Sequence, residues 1–189
     1  MNVDTKGLII QVATDLFRKK SYLGVGISEI LTACNLSKGA FYHHFPKGKE
    51  ELLITCLYTM NETITNDMKA IFSRHETTVE AIESMLIEVI NQYERDEMII
   101  GYTFSSIVSE MGSLSEAVRE VCENSYANIE GIYIAKLQAD GFSKQMAKEL
   151  ALMINATIEG GIMLCLTTKT SKPLKTVSKL LPNLIKVVE

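Results

Sequence analysis

Nearly every stretch of this chain repeats its apolar residues at a period close to 3.6, the spacing that gathers them on one face of an α-helix. Ile9, Val12, Ala13, Leu16 and Phe17 open the pattern, with Asp4 or Thr5 available to cap the helix they mark. Further helices are expected over 27–34, 38–44, 49–72 and 78–95. Residues 98–108 carry β-branched and aromatic side chains that suit a strand, but one isolated strand has nothing to pair with, so a helix is expected there too. Ser113 or Ser115 caps the next, which runs to about 139. Ser143 caps another to about 168, and the last runs from Pro173 to 187. With only 3 prolines and 11 glycines in 189 residues, the chain lacks the turn residues an all-β fold needs about every 8–12 positions. The expected fold is all-α, with about nine helices.

The net charge of −4 hides an asymmetry. Up to Glu50, seven cations (Lys6, Arg18, Lys19, Lys20, Lys38, Lys47, Lys49) face four acids (Asp4, Asp15, Glu29, Glu50), a net of +3. The remainder therefore carries −7. A basic N-terminal part on an acidic body suits a polyanionic partner. Cys34, Cys56, Cys122 and Cys165 are far apart, form no C-x-x-C pair and fall on apolar helical stripes, so buried reduced thiols are expected. No signal-peptide core opens the chain. The most apolar stretch, 150–166, contains Asn155 and Glu159, so a cytoplasmic protein outside the membrane is expected.

Residues 26–45 read as helix, four-residue turn, short helix: GISEILTA-CNLS-KGAFYHHF. Gly26 with Glu29 three residues on forms a weak capping box, and Asn35 tolerates the left-handed backbone that turns out of a helix. Ser37 caps the short helix and Pro46 stops it. In a helix-turn-helix the second helix enters the DNA major groove while the first crosses the backbone. The short helix has the side chains for that. Lys38 is a cation at its start, Gly39 lets the backbone approach closely, and Ala40 packs on a thymine methyl. Tyr42, His43 and His44 supply hydrogen bonds to phosphates or base edges. Phe41 and Phe45 face the other way, towards Leu16, Phe17 and Ile30.

No nucleophile–base pair, metal spacing or phosphate loop accompanies this motif. Gly24-Val25-Gly26 lacks both a preceding strand and a third glycine, and His43-His44 with Glu50 lacks the H-E-x-x-H spacing. The expectation is a protein that is not an enzyme and holds no cofactor. The competing reading is a helical scaffold or partner-binding bundle without sequence-specific DNA binding.

The run ATDLFRKKSY (13–22), the helix start GISEIL (26–31), and LSKGAFYHHF (36–45) followed by KEELL (49–53) together resemble the DNA-binding domain of the TetR/AcrR family of bacterial transcriptional regulators. The resemblance implies a helix-turn-helix domain over 1–48 and a ligand-binding and dimerisation bundle over 49–189. It implies a homodimer on double-stranded operator DNA, acting as a repressor released by a small hydrophobic or amphipathic inducer. Lys38, Gly39, Ala40, Tyr42 and His43 would meet base edges or phosphates; Ser28, Ser37, His44 and Lys49 would meet phosphates. Three departures stand out. Gly26 replaces the usual Thr or Ser, which passes that phosphate contact to Ser28 or loses it. Asn35 replaces a common glycine. FPKGKEELL is one residue longer than usual, so Lys47 and Lys49 compete for the phosphate at the start of the fourth helix. The longer form resembles a subset of the family that regulates drug-resistance genes.

The same resemblance places dimerisation on the last two long helices, where Ala151, Ala156, Gly160 and Gly161 allow close approach and Met153, Ile154, Met163 and Leu164 supply apolar area. The inducer would lie among soft and aromatic side chains, with Tyr102, Phe104, Met111 and Tyr126 as candidates beside Tyr93, Met98, Tyr133 and Met153. Asn155 and Glu159, one turn apart on an apolar helix, are the candidate polar handles, since buried polar groups need a partner in a ligand, a second subunit or a neighbouring helix.

Overall fold

A computed structural model describes residues 4–96, 110 and 115–188, the side chains of 187 and 188 excepted. Among these residues there are eight α-helices and no strand. They are α1 (Thr5–Lys20), α2 (Ile27–Cys34), α3 (Lys38–His44), α4 (Lys49–Phe72), α5 (Thr78–Asp96), α6 (Glu116–Ala139), α7 (Lys144–Thr168) and α8 (Lys172–Val188). The helix expected over 98–108 lies outside the described residues.

Local chemistry sets the boundaries. Asp4, rather than Thr5, caps α1 by accepting the Gly7 amide at 3.0 Å. Ser37 accepts the Ala40 amide, Ser115 that of Val118 and Ser143 that of Met146, each satisfying an N–H without an intrahelical partner. Thr77 and Glu80 form a reciprocal capping box at the start of α5, each side chain accepting the other's amide. Asn35 ends α2 at φ 53°, ψ 46°, in the left-handed region, as a short asparagine side chain tolerates. The box expected at Gly26 does not close. Gly26 caps α2 without a side-chain bond, and Glu29 pairs instead with Lys20.

The helices divide between two compact units. One comprises Met1–Asn61 with Thr103–Asn124, the other Glu62–Tyr102 with Ser125–Glu189, so α4 and α6 each contribute to both. In the first unit α1 packs on α2, and Ile9, Ala13, Phe17, Val25, Ile30, Phe41, Phe45, Leu52, Leu53 and Cys56 form the buried interior. Phe41 and Phe45 are fully buried with ring centroids 5.7 Å apart, each contributing about 2 kcal/mol by burial. They fix a seven-residue helix too short to hold itself in water.

The second unit is built around α5, α7 and α8, with Ile82, Leu86, Leu150, Ile154, Leu174 and Leu181 at its centre. A methyl placed at Gly161 would stand 3.1 Å from Leu174 and 3.2 Å from Val177, so the glycine permits the close packing of α7 on α8. The Tyr93 hydroxyl donates to the Cys165 carbonyl at 2.9 Å, tying α5 to α7. Among the described residues only α7 has the length and hydropathy to cross a membrane, and it buries Leu150, Ile154, Ile158 and Ile162 in this core. All four cysteines are buried and free, and burial pushes the Cys56 and Cys122 thiols up to about 11.

Candidate nucleic-acid interface

With Phe41 and Phe45 turned inward, the helical period turns Lys38, Gly39, Tyr42 and His43 outward, and all four are exposed. Ala40 and His44 are half-buried at the edges of this face. The Lys38 ammonium lies 5.9 Å from the Tyr42 ring centroid, and the rings of His43 and His44 meet edge-on at 5.1 Å. The site of a Gly39 Cβ has nothing nearer than the Ser37 hydroxyl at 3.9 Å, so the face is bare at that point. A cation, an open stretch of backbone, a phenol and imidazoles thus share one convex surface. Such a surface matches the groups that contact phosphates and base edges in a groove.

The flanking residues are placed less uniformly. Ser28 is exposed, and its hydroxyl lies 3.5 Å from where a Gly26 Cβ would stand. It therefore occupies the neighbourhood of the side chain that Gly26 lacks. Ser37 is exposed and uses its oxygen as the cap acceptor, which leaves its O–H able to donate. Lys47 is exposed beside the turn at Gly48, whose φ of +83° suits glycine. Lys49 is placed differently from its neighbours. It is half-buried, donates to the Tyr22 carbonyl at 2.6 Å and stands 4.0 Å over the Tyr22 ring. Burial holds its ammonium below the usual lysine range while the Glu110 charge partly offsets the effect. This inward engagement has no local signal, because Tyr22 is distant in sequence.

Of the expected ligand residues, Tyr102, Phe104 and Met111 lie outside the described residues, as does Met98; the others belong to the second unit. Asn155 is buried and donates to Glu130 of α6 at 3.2 Å, so its partner within the fold is a neighbouring helix. Glu159 and Tyr126 are half-buried. Tyr133 is buried, donates to the Met85 sulfur at 3.8 Å, and its hydroxyl is held above the usual phenol range by burial and by the Glu159 charge. An open, mostly apolar groove of about 450 Å³ runs along α4 and α6, lined by Lys69, Phe72, Asn128, Gly131, Ile132, Ala135, Lys136 and Ala139. Among the described residues, Tyr126, Asn155 and Glu159 do not line that groove.

A short helix pinned by two aromatics and bearing a basic outer face, preceded by a capped turn and a crossing helix, defines a helix-turn-helix DNA-binding protein. The family model described as "Bacterial regulatory proteins, tetR family" matches residues 9–56, and that described as "Transcriptional regulator LmrA/YxaF-like, C-terminal domain" matches residues 78–180. The chain belongs to the TetR family of bacterial transcriptional regulators, with a C-terminal domain of the LmrA/YxaF type. It is similar to the HTH-type transcriptional regulator LmrA of Bacillus subtilis, 36% identical over 97% of each chain. The regulator YxaF of the same organism is 32% identical over 97% of this chain and 96% of its own. The fold is also that of the reduced form of E. coli NemR, with a TM-score of 0.86 at 20% identity, covering 95% of this chain and 96% of the other.

Proposed function

We propose that the chain is a homodimeric repressor that binds a palindromic operator and is released from it by a small hydrophobic or amphipathic inducer. The observation that carries this reading is the exposed Lys38–His43 face of α3, held from behind by Phe41 and Phe45. Lys38, Gly39, Ala40, Tyr42 and His43 take base edges or phosphates, while Ser28, Ser37 and His44 take phosphates. Of the two lysines that compete at the start of α4, the exposed Lys47 takes the phosphate. Two-fold symmetry sets the half-sites about 34 Å apart or at a multiple of that distance.

The dimer surface is assigned to α7 and α8. Leu152, Met163 and Leu164 on the first and Leu180 and Leu184 on the second are exposed, an apolar set that association would cover. The inducer site is assigned to the second unit. Its groove along α4 and α6 is large and apolar enough for a small ligand, and Asn155 and Glu159 lie elsewhere in the same unit as candidate polar handles. Release then requires an inducer that binds the DNA-incompetent arrangement more tightly than the competent one. The long FPKGKE form, which resembles a subset of the family that regulates drug-resistance genes, favours drug-efflux or resistance genes as targets, regulated in the cytoplasm.

The test is fluorescence anisotropy on a duplex selected from a randomised pool by the wild-type protein, with a scrambled duplex beside it at two salt concentrations. Tight binding to the selected duplex, lost in Tyr42→Ala while the protein stays helical and dimeric, is the expected result. Equal binding to both duplexes, unaffected by Tyr42→Ala, would favour a bundle without sequence-specific DNA binding.

A further inference from the structure

Behind the DNA-facing surface, three separated stretches of the first unit meet around a single ammonium group. Lys49 begins α4, where the helix dipole disfavours a cation, yet its side chain is directed inward onto the Tyr22 carbonyl and ring. Glu110 accepts the Leu23 amide on Oε2 at 3.2 Å, and its charge favours the Lys49 ammonium against the cost of burial. Beside them the Ser115 hydroxyl, already the cap of α6, donates to Glu50 Oε1 at 3.0 Å.

What these bonds hold is the geometry of the DNA-contacting groups. Tyr22 and Leu23 form the corner that leads through buried Val25 to Gly26 and Ser28 at the start of α2. Lys49 directly follows Gly48, and a Cβ at Gly48 would stand 3.9 Å from the Tyr42 ring. The corner before α2 and the turn after α3 are thereby fastened to the same side chain.

We propose that Glu110 is a positioning residue for DNA binding. Through the Leu23 amide and the Lys49 ammonium, it keeps the α1–α2 corner and the α3–α4 turn in the one arrangement that presents Ser28 and Tyr42 together. Lys49 then acts from behind the interface and not on phosphate. The proposal rests on the DNA-binding reading of the α3 face. Its physical basis is preorganisation, because apparent affinity falls in proportion to the fraction of molecules holding the competent arrangement.

The sign of the effect makes the test sharp. Removing a carboxylate from a DNA-binding unit strengthens binding to a polyanion if the carboxylate acts only through its long-range field. Positioning predicts the opposite. On a duplex selected by the wild-type protein, Glu110→Ala is expected to bind about five- to tenfold more weakly, the size of one ordinary hydrogen bond's net contribution. Its plot of log affinity against log salt should keep the wild-type slope. Glu110→Gln keeps an acceptor for the Leu23 amide and should recover most of the loss. Lys49→Met should also weaken binding without changing the slope, whereas loss of a phosphate contact lowers the slope by about one.

Affinity in Glu110→Ala equal to or above wild type overturns the proposal, and so does a shallower slope in Lys49→Met. Should Glu110→Ala fail to fold, Lys49→Met decides alone. A pool that yields no selected duplex overturns the DNA reading and this proposal with it; a duplex that Glu110→Ala binds normally overturns this proposal only.

Discussion

The proposed DNA-facing surface and the interior of the second unit place their polar groups by different means. On α3 the residues proposed to contact DNA lie within one run of seven, and the same run supplies an aromatic that anchors it. In the second unit the polar groups come from distant parts of the chain and engage one another. Asn155 engages Glu130, Tyr133 engages Met85, Tyr93 engages the Cys165 carbonyl, and Glu94 takes both Ser171 and Lys175. A surface that reads DNA needs its donors turned outward, whereas a packed bundle leaves few polar groups without a partner. Local sequence therefore displays the first kind of site and conceals the second.

The largest effect that would sharpen this contrast is expected at Phe41. Phe41→Ala removes a fully buried anchor and should cost about 3–5 kcal/mol. Calorimetry should show the first unit melting early, with DNA binding lost along with the fold. Its sequence neighbour should behave otherwise. Tyr42→Ala and Lys38→Ala should each cost about 1–2 kcal/mol of operator affinity at an unchanged melting temperature, with the salt slope shallower by about one for the lysine alone. A fall in melting temperature for these exposed variants would break the distinction between anchor and reader.

In the second unit, Asn155→Ala leaves Glu130 without its donor and should cost about 1 kcal/mol, measured as a lower urea midpoint at constant slope. Here the loss should appear in stability first, the reverse of Tyr42→Ala. The smallest effect concerns the thiols. With Cys56 and Cys122 pushed up to about 11, roughly one thiol in a thousand is ionised at pH 8, so both should react slowly with a disulfide reagent until the protein is denatured. The folded-state values lie above an ordinary thiol near 9. The associated stability is therefore fully present below about pH 9 and lost as pH rises towards 11. Fast reaction of the native protein would contradict the buried placement.

The elements legible in the sequence were those whose causes lie within one helical turn. Ser37, Asn35 and Ser143 each act on a residue no more than four positions away, and each adopts the capping role that its type predicts. The alternation of Phe41 and Phe45 with Tyr42 and His43 likewise separates the buried face from the exposed one without reference to the rest of the chain. The Thr77–Glu80 box has an equally local cause, the Thr-x-x-Glu signature, although only the helix over 78–95 and not its cap was expected from the sequence. Lys49 shows where such reading stops. Its type and its position at a helix start suit a phosphate contact, but its environment is decided by Tyr22 and Glu110, which only the tertiary fold brings near. Asn155 was legible as a polar group in need of a partner, while the identity of that partner depends on how α6 lies against α7.

The first unit is drawn from two stretches of chain, with part of the second unit encoded between them. During synthesis, residues 62–102 leave the ribosome before Glu110 and Ser115 arrive to complete the unit that binds DNA. Its fastenings at Leu23 and Glu50 therefore form late, when the first part of the other unit has already emerged. The same interleaving bears on engineering. A reader head cut after Asn61 omits both fastenings, and an exchange of specificity between relatives must carry 103–124 along with the first 61 residues if the head is to be transplanted whole.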